Sequence, residues 1–222
     1  KEPELESPQD QWLRGLYAGK FRPKWSSGLL PALQKMMASS HPHEQAVAAR
    51  ALITLGQVDA AWPVLLAAAP KHDEAFSAAL DSQKWLFTDK RLEMFRELAK
   101  LAKDDDKLSS LFSSATSAQD PRIAEEIWKL LDRPGISPQV SHSAQYAFKP
   151  TYLGSNYWDL SEVSDKTKAK AAAIIEEHAK SGSVLKRLVA IDLLLSIAPD
   201  KASSIAEALL SDEKAPAELR RD

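Results

Sequence analysis

Cysteine is absent from the 222 residues. Disulfides, thiolate metal sites and cysteine nucleophiles are therefore excluded, while the compartment stays open, because cytosolic and exported proteins alike can lack Cys. Glycine is scarce, at 7 residues, and asparagine occurs once, as Asn156. So few glycines leave little material for a phosphate cradle of backbone N–H groups. No P-loop, dinucleotide fingerprint or G-x-S-x-G elbow occurs. Long apolar runs are also missing, and nothing approaches the ~20 residues that a bilayer-spanning helix requires. No charged-then-apolar leader follows Lys1, so the expectation is a piece without a membrane span, cytoplasmic or exported after processing. Neither charge is in excess: 29 Lys and Arg against 31 Asp and Glu give a net −2. A nucleic-acid or anionic-membrane partner normally calls for a basic surplus. Alternating runs of strand type are absent as well.

What is present is abundant Ala and Leu, the best helix formers. With the single Asn, this bias points to a bacterial source. A helix-pair pattern occurs twice, at Glu44 to Leu66 and at Lys186 to Leu210. Aligned on the turn, Ala48 falls with Ala190, Leu52 with Leu194, Leu55 with Ile197 and Ala60 with Ala202. Self-similarity of this kind is the mark of stacked hairpins, each too small to bury its own apolar stripe. Lys1 to Asp10 is polar, carries two prolines and reads as a linker or frayed arm. A short helix from Gln11 to Ala18 and the turn Lys20 to Trp25 follow. Ser26 or Ser27 starts the next helix, with Pro31 in about its first turn. Gly56 is expected to end one helix as a C-cap, and Pro63 to lie near the start of the next. Asp73, Thr88 or Asp89, the run Asp104 to Asp106, Asp120 and Ser161 or Ser164 are expected helix starts. Ser137-Pro138 opens a helix to about Phe148. Residues 149–160, with Pro150, Gly154 and several aromatics, read as an irregular insertion.

At the two hairpins the sequence resembles the HEAT-repeat family of α-solenoids. The matching residues are Ala48, Arg50, Ala51, Leu52 and Leu55-Gly56 in the first copy, and Ala190, Ile191, Leu194 and Ile197-Ala198 in the second. The likeness covers about a quarter of the chain well, and the rest by helix rhythm. It implies an all-α, right-handed superhelix of stacked antiparallel helix pairs over residues 11–222. The irregular stretch and poorly placed Asp/Arg pairs depart from the family pattern. A tetratricopeptide phase of 34 residues is not sustained past the first unit. Ala215 to Arg221 reads as the opening of a further helix, and the expectation is an excised piece of a longer array.

Candidate binding residues are the aromatics Tyr146, Tyr152, Tyr157 and Trp158, because Tyr and Trp offer large, stiff contact area. The same residues could instead pin the insertion onto the stack. The turn residues Lys20, Arg22, Lys24 and Trp25 mix cations with an aromatic and could meet phosphate or a base, or form a solvated turn. His41 and His43 lack a third fixed ligand for zinc. Glu125-Glu126 and Glu176-Glu177 point ~100° apart on a helix, so they form no acid–base dyad. The expected function is a non-catalytic interaction or scaffold module, without cofactor or metal, for a protein or peptide partner. One alternative is an enzyme similar to the HEAT-like alkylated-base DNA glycosylases, with Trp158-Asp159 in their Trp and Asp roles. The near-neutral charge disfavours it. The other is a structural spacer.

Overall fold

Ala- and Leu-rich stretches punctuated by Ser, Asp, Pro and Gly become helices. The structure, a computed structural model, describes residues 26–83, 88–116, 118–154 and 160–211. Among these residues there are helices, turns and bends and no strand, so the chain is all-α. In order they are α1 (Ser26–Met37), α2 (Pro42–Thr54), α3 (Val58–Ala68), α4 (Asp73–Gln83), α5 (Thr88–Leu101), α6 (Asp105–Ala115), α7 (Pro121–Leu131), α8 (Ser141–Leu153), α9 (Asp165–Lys180), α10 (Val184–Ile197) and α11 (Pro199–Ser211). One-turn 3-10 segments at Pro138–Val140 and Leu160–Glu162 precede α8 and α9.

Polar side chains set the helix starts. Asp104, Asp120, Ser164 and Ser183 each accept a backbone N–H from two or three residues ahead, at 2.8 to 3.2 Å. Each such cap contributes about 1 kcal/mol. Gly56 ends α2 at φ +83°, and the next N–H, of Gln57, reaches the Leu52 carbonyl at 2.8 Å. That left-handed turn is one that glycine adopts without strain.

Three prolines depart from their expected places. Pro31 and Pro63 are each the sixth residue of a helix, past the first turn. Pro150 lies inside α8, which runs on to Leu153. The stretch at 149–160 is therefore not irregular at its start: 149–153 are helical, and 160–162 form a 3-10 turn. Proline in a helix removes one hydrogen bond and crowds the preceding turn. In α8 that cost is offset by packing, since Ala147, Phe148, Pro150 and Leu153 are all buried. Helix α8 ends instead at Gly154, φ +74°, whose N–H returns to the Pro150 carbonyl at 3.0 Å.

The chain divides into two compact units, Lys1–Leu101 and Ala102–Asp222. In the first, α2 packs on α1, α3 and α4, and α4 packs also on α3 and α5. The Trp62 indole N–H of α3 donates to Glu97 Oε2 of α5 at 2.5 Å. The core is built from small and branched residues, all buried: Ala48, Ala49, Leu52 and Ile53 of α2, Ala61 and Leu65 of α3 and Ala79 of α4, with Phe95 and Leu98 of α5. Alanines permit close helix approach, and each buried Leu stabilises by roughly 1.5–3 kcal/mol.

In the second unit α8 packs between α6 and α10, while α9 packs on α8, α10 and α11. The Trp128 ring of α7 stacks on His178 of α9. Helix α8 thus contacts both α6 and α10, and α9 contacts α11 and meets α7 through the Trp128–His178 stack; α6, α8 and α10 are called the first row below, and α7, α9 and α11 the second. Leu111, Phe112, Ile127, Leu131, Phe148, Ile175, Leu193 and Leu194 fill the space between the rows, each at most 3% exposed.

Candidate functional site

An aromatic block lies where α7, α8 and α9 meet. Trp128, 1% exposed, lies nearly parallel to Phe148, with ring centres 3.9 Å apart and planes 14° apart. It is also nearly parallel to His178, at 4.4 Å and 16°. Phe148 continues to Tyr152 at 5.9 Å and 19°. The helical spacing of Phe148 and Tyr152 puts both on one face of α8. The Trp128 indole N–H donates to Tyr152 Oη at 2.9 Å, which satisfies the one polar atom of a buried Trp. Burial pushes the Tyr152 phenol above its ordinary pKa, and the Glu125 charge adds to this, against the Trp128 hydrogen bond.

Tyr152 is therefore a packing residue. The reading that these aromatics fasten one segment to the rest describes it better than the reading of an exposed anchor. Tyr146 is different: it is half-buried on α8 and meets the exposed His142 edge to face, with centres 4.6 Å apart. Tyr157, Trp158, Lys20, Arg22, Lys24 and Trp25 lie outside the described residues, as does Asp159.

Beside the aromatic block is a polar clamp that sequence reasoning missed. Asp132, which caps the C-terminal end of α7, accepts the Ser183 N–H and the Lys186 Nζ, both at 2.7 Å. The Ser183 hydroxyl donates to the Leu131 carbonyl at 2.7 Å. One carboxylate thus ties the end of α7 to the start of α10. Burial alone would raise the Asp132 pKa. The Lys186 and Ser183 hydrogen bonds outweigh it and hold the carboxyl below its ordinary value. His178 Nε2 lies 3.7 Å from Glu125 Oε1. The only sequence signal for the clamp was Ser183 after Gly182, an N-cap pattern that does not name its partner helix.

The carboxylate pairs are engaged at the surface. Glu176 lies between Lys201 of α11, at 2.6 Å, and Lys180, at 3.0 Å. Glu177 pairs with Lys180 and Glu126 with Lys129. Among the described residues no three His, Asp or Glu side chains converge as a metal site. In the first unit an open groove of about 520 Å³ runs along Pro42, Pro63, Val64 and Ala67 to Lys71 and His72. In the second, a gap of about 10 Å³ beside Tyr152, Leu193 and Ile197 has room for one water at most.

The two rows of the second unit carry different surfaces. On α6, α8 and α10 the exposed and half-exposed positions include Ser109, Ser110, Ser113, His142, Gln145, Tyr146, Leu195 and Ser196, together with the charged Asp105, Asp106, Lys107, Lys149, Lys186, Arg187 and Asp192. Gln145 Nε2 donates to Asp192 Oδ2 at 2.8 Å, so α8 and α10 are joined across this surface. On α7, α9 and α11 the exposed positions include Arg122, Glu125, Lys129, Lys166, Lys170, Glu177, Lys180, Lys201 and Glu207. The first row is the less charged of the two at its fully exposed positions, where Ser, His and Leu195 accompany Asp106 and Asp192; the second exposes many Lys and Glu side chains beside Ala169, Ala173, Ile174, Ser203, Ser204 and Leu210.

No family model matches the chain, and comparison with curated proteins and with solved structures likewise finds no match.

Proposed function

We propose that the chain is a non-catalytic interaction module, a HEAT-like right-handed stack of hairpins. Its α6–α8–α10 row receives a protein or peptide partner. The supporting observation is the contrast between the two rows of the second unit. A surface selected only for solubility is rich in Lys and Glu, as the α7–α9–α11 row is. Recognition surfaces are depleted in those residues and favour Tyr with adaptable Ser and Gln. The row around Tyr146, His142 and Gln145 has that composition. Tyr146 has a stiff ring at low entropic cost, the property that makes Tyr a frequent hot spot.

A photo-crosslinking amino acid placed at Tyr146 and, separately, at Lys170 tests the reading. Capture of a discrete partner from position 146, competed by excess unlabelled chain and absent from position 170, is the expected result. Equal capture at both positions, or none at 146 with capture at 170, would discard this surface. A spacer would give no competed product at either position.

A further inference from the structure

The fully exposed charges on α6, α8 and α10 have one sign: they are Asp106 and Asp192, set among Ser, His and Leu side chains. The cations of this row are half-buried and already engaged. Lys107 faces Asp104, Lys186 faces Asp132, and Arg187 Nε donates to the Ala179 carbonyl. Lys149 is half-buried and engaged as well. On the second row Glu126, Glu176 and Glu177 each meet a lysine within 3.1 Å. Asp192 differs from them. Among the described residues it meets no cation. The Gln145 amide donates to its Oδ2 at 2.8 Å and leaves Oδ1 without a donor. One turn to either side on the same face of α10 lie Leu188, half-buried, and Leu195, 51% exposed. A carboxylate between two leucines suits a side chain with an apolar stem and a cationic head. Lys and Arg lay their methylenes on apolar surface while the charge reaches out to an anion.

We propose, resting on the reading of α6–α8–α10 as the binding surface, that the partner segment is basic and that Asp192 receives its Lys or Arg head group. Oδ1 accepts from the ammonium or guanidinium, Gln145 holds the carboxylate in place, and the stem of the incoming side chain lies on Leu195 or Leu188. Asp106 adds the same sign of charge at the start of α6. Complementary charge of this kind sets partner choice and the rate of encounter more than raw affinity.

A displayed library of random linear peptides, panned on the full chain, tests it. Peptides made from the enriched sequences are then titrated into wild type and variants. They should be rich in Lys and Arg, and Tyr146→Ala should abolish their binding. Asp192→Asn should bind them about three- to tenfold more weakly, with a flatter dependence on salt. Asp192→Lys, at the same exposed position, should weaken them further. Glu177→Gln, which removes an equal charge from the second row, should change nothing. Peptides that need Tyr146 but carry no Lys or Arg, or that bind Asp192→Asn as tightly as wild type, would overturn the basic partner and leave the surface standing. Equal weakening by Glu177→Gln and Asp192→Asn would do the same. Peptides indifferent to Tyr146→Ala, or no enrichment at all, would discard the surface and the basic partner together. If Tyr146→Ala does not fold by circular dichroism, His142→Ala, at the exposed ring beside it, takes its place.

Discussion

Gly182 shows how much one residue can hold. Its φ is +107°, and an added Cβ would stand 2.5 Å from Asp132 Oδ1 and 2.8 Å from Lys186 Cδ. Both atoms belong to side chains that can swing aside, so the cost of a substitution comes from the backbone angle and from the disturbed clamp. Gly182→Ala should destabilise the chain by about 1–3 kcal/mol, read as a shift of the urea midpoint; an unchanged midpoint would show the clamp to be slack. Two groups give the clamp region its acid response. The folded His178 is harder to protonate than the unfolded one, so stability is full above about pH 6.5 and declines as pH falls below it. Asp132 is depressed too, so its contribution is full above about pH 4 and is lost as pH falls through its folded value. Stability against pH should show both declines in the wild type. In Asp132→Asn the lower decline should be smaller, Glu176 with its Lys201 and Lys180 partners still contributing to it, and a curve identical to wild type would refute the assignment.

At the scale of the helix, caps and apolar faces carry predictions of different size. Asp120 is 4% exposed, caps α7 through the Arg122 N–H and pairs with the Arg122 guanidinium at 3.0 Å. Asp120→Ala should cost about 1–2 kcal/mol, measured by thermal unfolding. Leu194 is fully buried in α10, and Leu194→Ala should cost about 2–5 kcal/mol; a loss under half of one kcal/mol would put this position in solvent. These are also the features that local sequence carries. The start at Asp120 was legible, and those within Asp104 to Asp106 and at Ser161 or Ser164 were legible to a few residues, because a cap is local to one side chain and the next turn. The hairpin alignment was legible in part. Ala48 and Ala190 are both fully buried, as are Leu52 and Leu194, but Ala60 is exposed where its counterpart Ala202 is buried. The fully buried small residue of the first copy is Ala61, one position on. Pro150 misled because its local cost is visible and the compensating burial of its neighbours is not. The Trp128–His178 stack was invisible for a related reason: the rings sit on helices with α8 between them, and no periodicity names a partner across a row.

On the scale of the molecule, charge and row composition decide what can be expected. With a net charge of −2 and cations interleaved with carboxylates on α9, duplex DNA finds no uniform basic surface among the described residues to release its counterions. Fluorescence anisotropy with duplex DNA at low salt should give weak binding, with little change as salt rises. Tight, steeply salt-sensitive binding would revive the DNA-enzyme alternative. The contact pattern also has a mechanical side. Among the described residues most helix contacts are with the next helix or the next but one, the α7–α10 clamp reaching one further, so contacts are mostly short-ranged along the chain. Pulled from its two ends, either unit should lengthen by shedding one hairpin at a time under modest force. It would yield like a soft spring, without the abrupt rupture of a sheet sheared along its strands.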